Sequence, residues 1–181
     1  MYKRQYLDNP EYNEKPQLKL SDLEGRSAGL IALTGGVEGT VGRLLLENRK
    51  DEAEDFLLRL KALFPDSLYV EIMRIGLESE HKTEEDFINL AYKHNLPLVA
   101  TNEAFFLDAD MYEAHDALVC IATGEYVANE NRKRFSPNNR LRSPEEMIEL
   151  FKDLPEAVNN TVVIAERCSF CLLYTSDAAD E

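Results

Sequence analysis

The sequence predicts an α/β protein with parallel strands, and three observations carry that expectation. Short apolar runs bounded by turn residues recur at residues 29–34, 68–74 and 97–101, as expected of strands buried on both faces. Between them lie segments whose apolar residues recur at helical spacing, and strand alternating with helix calls for right-handed crossovers in a parallel sheet or barrel. The stretch 96–107 also carries Glu103 to the carboxyl end of a strand, where α/β proteins usually do chemistry. Two residues on stands Phe105, at a position where a second polar ligand could share the face of an extended chain.

Taken in order, the first twenty residues are polar, with Pro10, Pro16 and three tyrosines, and read as a loop or edge segment. The first strand spans 29–34. Gly35, Gly36, Gly39 and Gly42 follow it, with neither the Gly-Lys-Ser/Thr ending of a phosphate loop nor the Gly-x-Gly-x-x-Gly spacing. A tight strand-to-helix turn is expected there, then a leucine-rich turn over 43–47. Ala53, Phe56, Leu57, Leu60, Leu63 and Phe64 give a helix over 51–64, ended by Pro65 and Asp66.

The second strand, 68–74, leads to a helix capped by Thr83 and running through His94, with Glu84, Glu85 and Asp86 at the positive end of its dipole. After the third strand, 97–101, the chain turns helical over 109–123. A basic loop follows. Ser143, Pro144 and Glu146 form a capping box at the start of the next helix, and Pro155 opens the last one, with Val158, Thr161, Val162 and Ala165 on one face.

Composition bounds the function classes. A chain of 181 residues, 44% hydrophobic and 30% charged, suits one compact domain or a large piece of one. No apolar run approaches the roughly 20 residues needed to cross a bilayer, and the start lacks a signal-peptide core, so a cytoplasmic location without membrane contact is expected. Cys120, Cys168 and Cys171 include one Cys-x-x-Cys pair with no second pair to complete a zinc site, and read as buried or incidental thiols. His81 and His94 fall at polar helix edges, and His115, between Glu113 and Asp116, reads as a surface or satisfied helix residue. No Ser/His/Asp or Cys/His set can be assembled. A net charge of −14 argues against a nucleic-acid affinity spread over the whole surface. The local exception is Arg132, Lys133, Arg134, Arg140 and Arg142 against the single acid Glu130, with Phe135 among them, read either as a solvated loop or as a DNA contact.

Several motifs in one order then identify a family: residues 30–36, 68–76, 96–107, 113–124 and 143–168. As an ordered set they closely resemble the amino-terminal region of the bacterial DNA polymerase III alpha subunits, the C-family replicative polymerases. The resemblance implies the later part of a distorted (β/α)7 barrel of the polymerase and histidinol phosphatase (PHP) type, followed by a helical segment. Its expected organisation is a partial PHP barrel over residues 1–125, a basic loop and helices leading toward the polymerase core over 126–170, and a tail over 171–181. That tail, with three acids and Cys171, resembles translated sequencing adapter and is set apart from the fold.

Metal-binding members of the family place an Asp-x-His pair at the positions of Glu103 and Phe105, and a Glu followed four residues later by a His at Glu71 and Ile75. Neither Ile75 nor Phe105 can ligate a metal. The early His-x-His and Thr-Asp-His motifs are absent, as expected of a chain that begins after them. No catalytic residue and no metal or other cofactor is expected in this piece. Glu71 and Glu103 are expected to be hydrogen-bonded or paired with a neighbour such as Arg74, with a residual single-metal role as the alternative, while Ile75 and Phe105 fill the mouth of the former cluster.

Three readings follow. In the first, the parent is the DNA-directed DNA polymerase of chromosomal replication, a nucleotidyltransferase using magnesium in a domain this piece lacks. The piece is then an inactive structural module, with the polymerase core, the proofreading exonuclease subunit and the sliding clamp as partners and DNA contacted through the parent. The second reading is a metal-dependent phosphoesterase or 3'-5' exonuclease of the PHP superfamily. The third is a DNA contact through Arg132, Lys133, Arg134 and Arg140.

An open parallel sheet with an uncovered edge tends to aggregate. The isolated chain is therefore expected to be insoluble or marginally folded, and a cooperative thermal transition from a soluble monomer, followed by circular dichroism, would refute this.

Overall fold

In the computed structural model, residues 19–168 are described. The loop or edge segment expected in the first twenty residues lies almost wholly outside the described residues, as do the 171–181 tail and Cys171. Three strands, β1 (Ala32–Leu33), β2 (Leu68–Met73) and β3 (Leu98–Thr101), form one parallel sheet in the order β1-β2-β3. Ala32 pairs with Leu68, and Val70 to Met73 pair with Leu98 to Thr101. The parallel α/β class is as the sequence predicts; among the described residues the sheet has three strands, and a closed barrel is not seen.

Helices α1 (Thr40–Leu46), α2 (Lys50–Leu63) and α3 (Glu78–Lys93) make the crossovers, and α4 (Tyr112–Thr123), α5 (Pro144–Leu150) and α6 (Pro155–Arg167) follow β3. The core lies between one face of the sheet and α1, α2, α3 and the α5–α6 region. Val70, Ile72, Leu98 and Ala100 pack there against Val41, Leu45, Leu57, Phe87 and Leu90, and Phe151, Leu154 and Ala157 join the same cluster. Burying each large apolar side chain contributes about 1.5–3 kcal/mol, so this cluster is the main source of stability.

Several expectations are corrected. Leu30 and Leu33 are 46% and 39% exposed, because β1 is a two-residue edge strand and not a strand buried on both faces. The leucine-rich turn is α1. Gly42 lowers helix propensity there, but buried Val41 and Leu45 hold the helix through tertiary packing. Helix α3 starts at Glu78, so Thr83 is not its cap: its hydroxyl lies buried within the helix and donates to the Ser79 carbonyl. The cap comes instead from Glu80, whose Oε2 accepts from the Gly76 and Leu77 N–H groups at 3.0 and 3.1 Å. On α6 the inward face runs through Ala157, Asn160 and Ile164, while Val162 and Ala165 are exposed. Asn160 donates to the Leu98 carbonyl and so fixes α6 along β3.

The glycine-rich turn is a tight connection, as expected. A Cβ on Gly39 would lie 1.9 Å from the Thr34 carbonyl oxygen, and one on Gly42 would lie 2.3 Å from that of Gly36. Only glycine allows α1 to double back this closely on the end of β1. The capping box of α5 forms as predicted, with Ser143 Oγ accepting from the Glu146 N–H and the Glu146 carboxylate from the Ser143 N–H.

Arg74, just beyond β2, ties the sheet to three other parts of the chain. Its guanidinium donates to both Glu84 oxygens on α3, to both Asp153 oxygens and to the Leu150 carbonyl between α5 and α6. It also lies 4.7 Å from the centre of the Phe151 ring. Arg74→Met keeps the apolar stem and removes these hydrogen bonds. It should lower unfolding free energy by about 2–3 kcal/mol in urea titration; a loss under about 0.5 kcal/mol would show that the clamp is dispensable.

Candidate functional site

The 136–139 loop hydrogen-bonds to the chain just beyond the carboxyl ends of both β2 and β3. In a strand successive side chains alternate between faces, so Val70 and Ile72 face the helices while Tyr69 and Glu71 face the opposite side. Glu71 is buried there. Its Oε1 accepts from the Thr101 hydroxyl at 2.6 Å, and its backbone N–H donates to Thr34 Oγ1 at 2.9 Å. Of the two expected arrangements Glu71 takes the hydrogen bond, and Arg74 pairs with neither Glu71 nor Glu103, because Glu84 and Asp153 occupy its guanidinium.

Ile75 is buried, and its carbonyl accepts from Ser136 Oγ and Asn138 Nδ2. Glu103 and Phe105 follow β3 on an exposed turn. Asn139 ties its loop to the turn after β3: it is 1% exposed, donates from Nδ2 to the Glu103 carbonyl, accepts from the Phe105 N–H through its own carbonyl and from the Ser136 N–H through Oδ1. The chain continues beside this turn, Phe106 bridging to Arg140 in parallel fashion. Ser136, Asn138 and Asn139 were not singled out from the sequence. A run of Ser, Pro and Asn there signals a turn, but nothing in it points to residues 36 to 63 positions away.

The four positions that the resemblance marks, Glu71, Ile75, Glu103 and Phe105, thus lie on or just beyond β2 and β3, and they do not suit a metal. Ile75 and Phe105 have no donor atom, one oxygen of Glu71 is taken by Thr101, and the Glu103 side chain faces solvent. Among the described residues no group of three or more His, Cys, Asp or Glu side chains is placed to hold an ion.

Phe105 has a different role. Its ring stacks on His115 of α4 at 5.6 Å and packs on Phe135 at 4.5 Å, leaving the residue 43% exposed. Phe106 is buried against Tyr112 and His115. His115 therefore sits among rings, with its Nδ1 buried and unpartnered within the described residues. His94 is not an exposed edge residue either: its ring, 15% exposed, bonds Glu54 at 2.7 Å.

The basic loop is divided in its commitments. The Arg132 side chain is 1% exposed and meets both Asp116 oxygens of α4 at 2.6 and 2.5 Å, which holds the Asp116 carboxyl below its ordinary range. Arg140 grips Glu146 with two nitrogens and, with the Ser143 N–H, draws that carboxyl down to about 2. Lys133 and Arg134 are exposed, the Lys133 ammonium lying 4.9 Å from the centre of the Phe135 ring. Cys120 is a buried thiol and Cys168 an exposed one.

Beneath β2 lies a cavity of about 10 Å³, lined by Gly36, Glu71, Met73, Glu80, Thr83 and Phe87 among others, with room for one water. Glu80 is 4% exposed, and its Oε1 has no partner within the described residues. No helix among them is long and apolar enough to cross a membrane.

Comparison with known proteins adds kinship to this geometry. The PHP domain model matches residues 1–75. The chain is 42% identical to DNA polymerase III subunit alpha of Caulobacter vibrioides over 165 residues, 91% of this chain and 14% of that protein. The same subunit of Rickettsia bellii is 43% identical over 153 residues, covering 84% and 13% of the two chains. That of Borreliella burgdorferi is 37% identical over 164 residues, covering 90% and 14%. The chain spans about one-seventh of the length of these relatives.

Burial pushes the Glu80 carboxyl above its ordinary value of 4.5, so folding takes up a proton there. Its contribution to stability is present in full below the unfolded value and is lost as pH rises through the folded one. Glu80→Gln should therefore shrink the stability lost between pH 4.5 and neutrality. Urea titrations at both pH values check this, and an unchanged pH difference would contradict it.

Proposed function

We propose, since the chain carries a PHP domain and its relatives are DNA polymerase III alpha subunits, that it is part of the replicative DNA-directed DNA polymerase and serves there as a metal-free structural module. The single observation that carries this reading is the identity of 37–43% across most of the chain. Nucleotidyl transfer belongs to another part of the parent polypeptide, where carboxylates hold magnesium against the primer end and the incoming triphosphate. The partners in this reading are the polymerase core, the proofreading exonuclease subunit and the sliding clamp, with DNA reached through the parent in the cytoplasm.

The degenerate cluster supports a structural role over hydrolysis. Glu71 is bonded inside the protein, Ile75 supplies a carbonyl to the 136–139 loop, and Phe105 supplies a ring to α4. Each former ligand position now contributes packing or a hydrogen bond between strand ends. A metal-dependent phosphoesterase or 3'-5' exonuclease would need at least two further donors at this place.

The test is made on the full natural polypeptide that contains this chain. It should extend a primed template with magnesium, and purified free of its exonuclease partner it should release no nucleotides from a primer end with zinc or manganese. Nucleotide release abolished by Glu71→Gln and Glu103→Gln together would overturn the structural reading in favour of the enzymatic one; failure to extend primers would overturn the polymerase assignment.

A further inference from the structure

One surface feature is left unused by the structural role. Of the consecutive Phe105 and Phe106, only Phe106 is buried, while Phe105 stays 43% exposed although its ring is held against His115 and Phe135. A lone exposed ring needs no explanation, but this one is held by two others, one of which lies under the Lys133 ammonium. Lys133 lies over the Phe135 ring, and exposed Arg134 makes no ion pair or hydrogen bond among the described residues. Other basic side chains of the loop are engaged internally: Arg132 with Asp116 and Arg140 with Glu146.

These engagements also make the surface rigid. The Asp116–Arg132 pair pins the loop to α4 one residue before Lys133, and Tyr112 donates from its hydroxyl to the Phe135 carbonyl. The Phe105 N–H is fixed by the Asn139 carbonyl. The ring and the two cations are thus presented by backbone that is already ordered, which lowers the entropic cost of binding.

We propose that Phe105, with Phe135, Lys133 and Arg134, forms a stacking platform for single-stranded nucleic acid. An unpaired base stacks on the open face of Phe105, and the flanking phosphates meet Lys133 and Arg134. Exposed aromatic faces beside cations bind single strands with little sequence preference, because every base has a π face. A duplex keeps its base faces stacked on one another and cannot use the ring. With a chain charge of −14, the contact is local and weak.

The platform stands independently of the polymerase assignment, which the primer-extension assay reports separately. Photocrosslinking reads this site even where the full natural polypeptide binds nucleic acid elsewhere. Oligothymidylate carrying 5-iododeoxyuridine and oligouridylate carrying 5-iodouridine are irradiated with that polypeptide at several salt concentrations, and crosslinked peptides are mapped by mass spectrometry. Crosslinks at Phe105, Phe135 or His115 are expected, from the deoxy oligomer alone if the ligand is DNA and from the ribo oligomer alone if it is RNA, with both showing no sugar preference. Lys133→Glu with Arg134→Glu, both at exposed positions, should raise the half-saturating concentration of these crosslinks about 10-fold and lower the log–log salt slope by about 1.4. Phe105→Leu, which keeps apolar bulk without a π face, should raise it about 5-fold or more. Absence of crosslinks at all three rings, or a concentration dependence unchanged by the double charge reversal, would overturn the proposal.

Discussion

The arrangement turns on Arg74. It stands where the central strand ends, and a carboxylate from α3, another from the α5–α6 junction and a main-chain carbonyl all converge on its guanidinium. The apolar cluster supplies most of the stability, but apolar packing is tolerant of small displacements. A planar guanidinium with several donors is not, since each hydrogen bond requires its acceptor at a set distance and angle. Arg74 thereby fixes how the last two helices lie on the sheet, and its commitment there withholds it from Glu71.

That commitment shapes the far side of the sheet. With Arg74 turned toward the helices, the Glu71 carboxylate is satisfied by the Thr101 hydroxyl, a neutral partner on the adjacent strand. The next loop supplies Asn139, which satisfies main-chain groups of Glu103, Phe105 and Ser136. Buried polar groups left unpaired cost about 1–3 kcal/mol each, so this network stabilises the strand ends without an ion. Ile75 and Phe105 fit the same logic, as apolar side chains whose main-chain groups are bonded to the 136–139 loop.

Much of this was legible in the sequence where a local pattern decides the outcome. β2, β3, α2 and the capping box of α5 follow from apolar runs, helical spacing and the Ser143-Pro144-Glu146 signal. Local rules failed where a distant partner decides. Gly39 and Gly42 make α1 look like a turn, although packing of Val41 and Leu45 sustains it. Glu80 caps α3 from inside the helix, so the Ser/Thr signal at Thr83 misplaced its start. The positions Glu71, Ile75, Glu103 and Phe105 are marked only by the resemblance. Their actual partners, Thr101 for Glu71 and Asn139 for the Glu103 turn, come from other elements that spacing cannot reveal. The basic loop looked uniform in sequence, and only the fold separates inward Arg132 from outward Lys133 and Arg134.

The central proposal is that Glu71, bonded to the Thr101 hydroxyl, and Glu103, with its carboxylate at the surface, do not serve an ion. Crystals of the natural polypeptide grown with manganese and with zinc, measured at each metal's absorption edge, test it most directly. The account predicts no anomalous peak within coordinating distance of either carboxylate and an intact Thr101–Glu71 hydrogen bond. A peak ligated by Glu71 or Glu103, with Thr101 displaced, would contradict it.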